Sequence, residues 1–237
     1  TLNILESLRY VKKKCTAVLI TSDKSYKNLE IKKGYVEDDI LGGKDPYSAS
    51  KASAEMMIRA YRESFFVKER QCGISSARAG NVIVGGDWSN KRLIPDCIKS
   101  LQKGKVIKLR NPNFNRPWQH VLEPLKGYLI LAKNQYKNPQ KYSGAWNFGT
   151  EANSITNVKE IVKYMIKFWG SGKLNVEKVN KFYEQQNLQL DIKKAKNRLK
   201  WKPTYNIKRS VQITTDWYYK TIKKNQNPVK VTNNQID

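Results

Sequence analysis

The amino-acid sequence predicts an α/β protein with a largely parallel, Rossmann-like doubly wound sheet. Short apolar runs alternate along the chain with stretches whose apolar residues recur at helical spacing. The run TAVLIT at 16–21 is typical of a parallel strand buried on both faces. With 39% hydrophobic residues among 237, the chain can bury a sizeable core, which excludes a disordered protein.

The first predicted elements are a helix over 2–13 and the strand at 16–21. A long helix over 47–69 follows Asp45-Pro46, which is a typical helix start. The remaining elements are, in order, a strand at 73–78, a Gly-rich loop at 80–90, a helix at 92–103, a strand at 106–109, a helix at 122–135, a strand at 146–148, a helix at 156–169 ending at Gly170, a strand at 173–178, and helices at 191–200 and 207–224. We expect the polar residues 225–237 to form a frayed tail.

The chain carries 45 Lys and Arg against 20 Asp and Glu, a net charge of +25. Such an excess would suit a nucleic-acid-binding module, which stays the less favoured alternative. The lysines are scattered at positions that face solvent on amphipathic helices, so we interpret the charge as surface composition. No apolar run approaches about 18 residues and no signal peptide is evident, so a cytoplasmic protein without a membrane span is expected.

The cysteine and histidine content argues against a metal site. Cys15, Cys72 and Cys97 lie in apolar segments without metal-ligand spacing, and they are predicted to be buried thiols of a reducing compartment. The chain has a single histidine, which makes a zinc site unlikely on composition alone.

Tyr47 and Lys51 form a YxxxK pair on one face of the predicted long helix. There the ammonium group can stabilise a phenolate, so that the tyrosine can act as a general base. The spacing alone decides little, because Tyr10 and Tyr219 also have a lysine four residues later. Context favours Tyr47, because the first strand leads directly into the polar residues 21–24, and open α/β sheets keep their sites at strand carboxyl ends.

Ser22 lies 25 residues before Tyr47. In this spacing the chain resembles the extended short-chain dehydrogenase/reductase family, whose catalytic Ser or Thr ends a strand about that far before YxxxK. The segments TSDKSY, DPYSASKASAE, ARAGNVIVGGDWSNKRLIPD, RNPNFNRPWQHVLEPLKGYL and NFGT are similar to those of the nucleotide-sugar 4,6-dehydratases of that family, in particular those acting on CDP-glucose.

The resemblance implies an NAD-dependent lyase that removes water from a nucleotide sugar for deoxysugar and polysaccharide biosynthesis. It implies that Tyr47, with Lys51 and Ser22, acts at the C4 hydroxyl and that Asp23 protonates the leaving C6 hydroxyl. Lys24 stands where relatives have Glu, and it is the expected base at C5. The implied cofactor contacts are Tyr47, Lys51 and Arg78, and Arg78 could equally cap the strand end.

The same resemblance implies a set of polar residues that contact the sugar nucleotide. They are Asn81, Arg92, Arg110, Arg116 and His120. A structural hydrogen bond is an equal alternative for His120, and Trp88 and Trp118 could stack on the base or pack in the core.

No GxGxxG motif occurs, although this loop should hold the dinucleotide pyrophosphate. We therefore expect an N-terminally truncated chain, with 1–85 as the later part of an NAD-binding domain and 86–224 mainly as an interleaved, smaller sugar-nucleotide domain. The resemblance implies a homodimer or higher homo-oligomer, because in that family the helix carrying YxxxK often packs in a dimer interface. The apolar face of this helix, with Met56, Met57, Tyr61 and Phe65, would suit such an interface and could equally be ordinary core. A dehydratase acting on another nucleotide sugar, a related epimerase and a non-catalytic fragment stay open as alternatives.

Overall fold

A computed structural model describes residues 1–31, 33–66, 72–151, 154, 156–176 and 188–237. The helices are α1 Leu2–Arg9, α2 Pro46–Tyr61, α3 Leu93–Gln102, α4 Leu122–Lys137, α5 Pro139–Tyr142, α6 Val158–Trp169, α7 Ile207–Tyr218 and α8 Pro228–Ile236. The strands are β1 Cys15–Ile20, β2 Cys72–Ala79, β3 Val82–Ile83, β4 Ile107–Leu109, β5 Asn115–Arg116, β6 Gln119–His120, β7 Gly144–Phe148, β8 Thr156–Asn157 and β9 Leu174–Val176. A 3₁₀ turn covers Asp23–Ser25, and π-helical turns cover Arg62–Phe66, Ala195–Leu199 and Tyr219–Lys223.

The chain forms two compact units, between which it passes several times. Unit 1 comprises Thr1–Gly80, Glu123–Ala152 and Asn187–Pro203. Unit 2 comprises Asn81–Leu122, Asn153–Gln186 and Thr204–Asp237. The first boundary between the two units lies between Gly80 and Asn81.

Unit 1 is built on a parallel sheet in the order β1-β2-β7. β2 is buried along its whole length, as expected of a central parallel strand. In the register of the sheet, Ile20 of β1 lies beside Ala77, and Phe148 of β7 lies beside Ala79. The predicted α/β class with parallel strands is confirmed.

Two apolar clusters cover this sheet. Leu5 of α1 and Ile58 of α2 pack with Ile74 of β2 in one of them. Trp146 and Trp201 belong to the other cluster, together with residues of β2, α4 and β7. The sheet is thus fixed by burial on both faces, and its strand ends are the positions available for a site.

Unit 2 has short strand pairs around one larger core. β3 pairs with β6 and β4 with β9 in parallel, whereas β5 and β8 are antiparallel. Ile98, Ile161, Val211 and Tyr218, from α3, α6 and α7, are fully buried in the core. A side chain at Gly85 would overlap the Trp217 ring, so that only glycine fits this position of the loop.

The start of α2 follows the sequence signals. The Asp45 side chain accepts a hydrogen bond from the Ser48 backbone N–H at 3.0 Å, and Pro46 occupies the first turn. The end differs from the prediction, because the α-helical hydrogen-bond pattern stops at Tyr61 and the π-helical turn 62–66 follows. Residues 67–69 of the predicted helix lie outside the described residues.

Several other elements differ from the sequence prediction, among them the helix predicted at 191–200, of which Ala195–Leu199 form a π-helical turn. α1 ends at Arg9 rather than 13, since the run of lysines that follows has no apolar face to bury. The expectation of a frayed C-terminal tail is wrong, because α8 forms there with Asn227 as N-cap and Val231 buried. β9 covers only 174–176 of the predicted strand, and its last two residues, 177 and 178, lie outside the described residues.

The structure also locates the cysteines. Cys72 and Cys97 are buried and Cys15 is partly buried, and the Sγ atoms of Cys15 and Cys72 lie 2.8 Å apart across β1 and β2. Within the described ranges, no group of three potential ligands could hold a metal ion. None of the helices described is both long and apolar enough to cross a membrane.

Candidate active site

The residues Ser22, Asp23 and Lys24 lie at the carboxyl end of β1, in and before the 3₁₀ turn. Ser22 caps this turn, because its Oγ accepts a hydrogen bond from the Lys24 backbone N–H at 3.2 Å. The same hydroxyl donates to Asp23 Oδ1 at 3.0 Å. The strand end and the turn therefore fix a hydroxyl and a carboxyl group side by side.

The three side chains differ in their access to solvent. Ser22 is 8% and Asp23 4% exposed, whereas Lys24 is exposed. A buried carboxyl group and an exposed amine at one turn are residue types that can supply and accept protons.

Helix α2 brings Tyr47 to this turn. The 3₁₀ turn packs against α2, and the Tyr47 side chain is 52% exposed near the start of the helix. The Nζ atoms of Lys24 and Lys51 each lie 5.9 Å from the centre of the Tyr47 ring. Two lysine side chains from different elements therefore lie close to the same phenol ring.

The other two YxxxK pairs are not assembled in this way. Tyr10 lies beyond the end of α1 and is 78% exposed, and the Lys14 ammonium group faces Tyr136 instead. Lys223 faces the Trp169 ring. The structure therefore distinguishes the pair on α2 from the two matches in other surroundings.

Arg78 lies on β2 in the interior of unit 1, with 3% of its side chain exposed. Its Nη2 forms an ion pair with Glu55 at 2.7 Å, and its Nη1 donates to the Tyr26 hydroxyl at 2.6 Å. Its Nε is buried and has no hydrogen-bond partner among the described residues. This geometry favours the structural alternative for Arg78, and a cofactor contact stays a prediction.

The sequence analysis missed Glu55, which is 2% exposed on α2. Its carboxylate also accepts hydrogen bonds from the hydroxyl groups of Thr21 and Ser76. A signal existed in the sequence: Glu55 follows Lys51 at the same four-residue spacing that separates Lys51 from Tyr47. An acid in line with a catalytic pair, on the face that packs inward, indicates a buried polar network.

The predicted diphosphate ligands of unit 2 are mostly on its surface. The Arg92 side chain is 65% exposed and lies 3.4 Å from an Asp87 carboxylate oxygen. Arg110 is exposed after β4, and Arg116 in β5 is partly exposed with its guanidinium 6.0 Å from the Phe114 ring. These arginines are accessible to an anionic ligand.

His120 of β6 is 1% exposed, which makes the structural alternative the better supported one. Its Nδ1 accepts a hydrogen bond from the Leu122 backbone N–H at 3.4 Å, and its ring lies edge-on to Tyr205. Burial lowers the pKa of His120 to about 4, so the ring is neutral at physiological pH. Its Nε2 has no hydrogen-bond partner in the part of the chain that the structure describes, and a ligand contact there stays a prediction.

The remaining predicted residues of unit 2 differ in burial: Trp118 is buried, whereas Trp88 and Asn81 are at least partly exposed. Trp118 is buried in the core, so it packs rather than stacks on a ligand. Trp88 is 45% exposed and lies edge-on to Tyr218. The Asn81 side chain is partly exposed, and its backbone carbonyl accepts a hydrogen bond from the Gln119 N–H at 2.9 Å.

Comparison with known proteins gives a consistent set of matches. A family described as GDP-mannose 4,6 dehydratase matches residues 1–214. CDP-glucose 4,6-dehydratase of Salmonella typhimurium is 40% identical over 223 residues, which are 92% of this chain and 62% of that protein. dTDP-glucose 4,6-dehydratase of Streptomyces griseus is 25% identical over 86% of this chain and 58% of its own length. The chain thus spans about three fifths of the curated relatives it matches.

Solved structures share the fold. The dTDP-glucose 4,6-dehydratase of Bacillus anthracis, solved in complex with NAD, has a TM-score of 0.75 at 23% identity, over 94% of this chain and 66% of that one. The UDP-glucose 4-epimerase of Thermotoga maritima, solved with UDP-glucose, has a TM-score of 0.76 at 18% identity, over 93% of this chain and 68% of that one. At these identities the likeness concerns the fold alone, and the fold accommodates both types of reaction.

Proposed function

Because this chain belongs to the GDP-mannose 4,6 dehydratase family, we propose that it is the catalytic part of an NAD-dependent enzyme that converts CDP-glucose to CDP-4-keto-6-deoxyglucose. The observation that carries this proposal is the position of Tyr47, whose ring lies close to both Lys24 and Lys51. The buried Asp23 belongs to the same turn as Lys24. The 40% identity to the Salmonella CDP-glucose enzyme supports cytidine as the nucleotide.

In the first step Tyr47 removes the proton of the C4 hydroxyl while C4 is oxidised to a ketone. Lys51, whose Nζ lies 5.9 Å from the centre of the Tyr47 ring, assists the tyrosine in this step. Ser22 is placed to assist Tyr47 at the C4 oxygen from the end of β1, where its Oγ lies 3.0 Å from Asp23 Oδ1.

Elimination follows because the C4 ketone makes the C5 proton acidic. Lys24, whose Nζ lies 5.9 Å from the centre of the Tyr47 ring, takes up this proton as the general base. Asp23 supplies the proton with which the C6 hydroxyl leaves as water. The product is completed when C6 receives the hydride that C4 lost and Lys24 returns a proton to C5.

The exposed start of α2 fits the reactive end of a nicotinamide cofactor. A tyrosine hydroxyl and a lysine ammonium group lie there at the carboxyl end of parallel strands, where such ligands bind in open α/β sheets. Tyr47 and Lys51 would hold that end, and the chemistry that NAD supplies when bound is reversible acceptance of a hydride. The chain contains no Gly-rich phosphate loop, so no residue is assigned to the pyrophosphate.

For the substrate diphosphate we propose Arg92, Arg110 and Arg116, because guanidinium groups bind phosphates by paired hydrogen bonds. Asn81 is proposed to contact the sugar. A related epimerase remains the alternative, but the pairing of Asp23 with Lys24 favours dehydration, since epimerisation needs no acid and base for an elimination.

We further propose that the complete protein forms a homodimer, that it acts in the cytoplasm, and that its product supplies deoxysugars for polysaccharides. Met56, Met57 and Phe65 are 54%, 37% and 41% exposed on and after α2, and such an apolar surface suits a second copy of the chain. Tyr61 adjoins this surface, because its partly buried ring lies 5.3 Å from the Phe65 ring.

The test is turnover of CDP-glucose by the full-length protein with NAD, with dTDP-glucose, UDP-glucose and GDP-mannose as comparison substrates. Formation of a 4-keto-6-deoxy product from CDP-glucose in preference to the other three is expected. Preference for another nucleotide would correct the substrate, whereas a C4 epimer as the product would replace dehydration by epimerisation.

A further inference from the structure

Three residues at four-residue spacing run down one face of α2. They are Tyr47, Lys51 and Glu55, and this spacing places them one above the other. Tyr47 is 52% exposed, Lys51 is partly buried and Glu55 is 2% exposed. The face therefore leads from the surface, where the proposed chemistry takes place, to a carboxylate deep in unit 1.

The Glu55 carboxylate is fully engaged. One oxygen accepts a hydrogen bond from the hydroxyl of Thr21. The other accepts from Ser76 Oγ and from Arg78 Nη2, both at 2.7 Å. Thr21 directly precedes Ser22, so one contact of Glu55 reaches the segment that leads into the proposed catalytic turn.

Arg78 continues the network on the other side of that turn. Its Nη1 donates to the Tyr26 hydroxyl at 2.6 Å and to the Glu37 backbone carbonyl at 2.8 Å. Tyr26 follows the turn Asp23–Ser25 directly, and its hydroxyl also donates to Asn147 on β7 at 2.9 Å. The pair of Glu55 and Arg78 therefore contacts both flanks of the turn, Thr21 before it and Tyr26 after it.

Stability alone is a weak reason for such a pair. Removing two charges from water is costly, and apolar residues of similar volume often serve a protein core as well or better. A charged, hydrogen-bonded pair fixes the relative position of the segments it joins, because its hydrogen bonds form only at particular distances and angles. Burial by itself lowers the pKa of Arg78, but the bonds and charges of Glu55 and Tyr26 outweigh burial and raise it, so the guanidinium stays charged.

We infer that the Glu55–Arg78 pair is a positioning device, which holds Tyr47 and Lys51 of α2 in register with the turn that carries Asp23. This inference rests on the proposed function. Neither Glu55 nor Arg78 touches the substrate in this scheme; both act through the segments they fix.

The test is the double variant Glu55→Leu/Arg78→Met in the full-length protein, which removes both charges and leaves neither one buried alone. A displacement of about 1 Å between reacting groups lowers rates by about 100-fold, so kcat for CDP-glucose should fall by roughly that factor while KM changes less than about 3-fold. Thr21→Val, which keeps the side-chain shape but removes one hydroxyl contact, should lower kcat by a smaller factor. The pH profile of kcat should shift in both variants.

The matched control is Glu63→Gln, which breaks the exposed ion pair with Arg59 near the end of the same helix. It should leave kcat, KM and the pH profile unchanged. A double variant that unfolds at the wild-type temperature and retains wild-type kcat and pH profile would overturn the inference. A uniform loss of folded protein with unchanged kcat per folded molecule would overturn it as well, because the pair would then be structural only.

Hydrogen–deuterium exchange separates this inference from the proposed function. Faster exchange confined to residues 21–26 and the first turn of α2 is expected in the double variant, whether or not any sugar nucleotide is turned over. Unchanged exchange in these segments would contradict the positioning role even if the dehydratase activity is established. Localised faster exchange in a protein that shows no dehydration would instead leave the device standing and reject the function.

Discussion

Replacing Lys24 by alanine should separate the two halves of the proposed reaction. The Lys24 side chain is exposed, so its loss should change the free energy of unfolding by no more than about 0.5 kcal/mol. The variant retains Tyr47 and Lys51, the two residues assigned to oxidation at C4, and the Lys51 Nζ lies 5.9 Å from the centre of the Tyr47 ring. Only the removal of the C5 proton loses its base.

The size of the effect follows from the role assigned to Lys24. Loss of a positioned general base lowers a rate by about 10²- to 10⁴-fold, which corresponds to a barrier higher by ~2.7–5.4 kcal/mol. In deuterium oxide, the variant should incorporate deuterium at C5 of the sugar more slowly by this factor. The 4-keto sugar that accumulates should be trapped by borodeuteride reduction and detected by mass spectrometry.

Lys27→Ala is the matched control for this experiment, because Lys27 is an exposed lysine three residues further along the same segment. It should exchange C5 and form product at the wild-type rate. Wild-type C5 exchange in Lys24→Ala would contradict the role of Lys24 as the C5 base. An equal loss of C4 oxidation and elimination would contradict it as well.

Three further predictions concern the tyrosine pair, the core of unit 2 and its histidine. Tyr47→Phe should abolish both C4 oxidation and C5 exchange, whereas Tyr10→Phe, in a YxxxK pair that is not assembled, should leave the product assay unchanged. Gly85→Ala should lower the free energy of unfolding by about 1–3 kcal/mol in urea titrations, because the added methyl group overlaps the Trp217 ring; an unchanged midpoint would be inconsistent with this packing. The pKa of His120 falls from 6.5 in the unfolded chain to about 4 in the fold, so its contribution to stability is complete above pH 6.5 and is lost as pH falls towards 4, by roughly 3 kcal/mol. His120→Gln should therefore show a flatter decline of stability between these pH values, and equal declines would contradict the assigned burial.

Sequence patterns identified most of the elements around the site because they rest on local signals. A continuous apolar run marked β1, and Asp45-Pro46 marked the start of α2. The choice of Tyr47 over two other tyrosines also needed only context, namely a buried strand that ends in polar residues. The structure brings the chosen tyrosine within 5.9 Å of both Lys24 and Lys51, which periodicity alone could not establish for Lys24.

The parts that sequence analysis missed depend on contacts between distant segments. The family resemblance makes Arg78 a candidate cofactor ligand, but its ion-pair partner Glu55 comes from another element, which no pattern around Arg78 indicates. The sequence leaves a ligand contact and a structural hydrogen bond as equal alternatives for His120, because the burial of a lone histidine in a polar segment cannot be deduced from the sequence. The polar composition of the C-terminal residues predicts a frayed tail, whereas the local helix start Asn227-Pro228 is the signal that predicts α8.

The most direct test of the central claim is the fate of deuterium placed at C4 of CDP-glucose, followed by mass spectrometry and NMR of the product formed by the full-length protein. The account predicts that the label is recovered at C6 of CDP-4-keto-6-deoxyglucose, because the hydride that leaves C4 returns to the carbon from which water has been eliminated. Recovery of the label at C4 of an epimer, or the absence of any reaction by the folded protein, would contradict it.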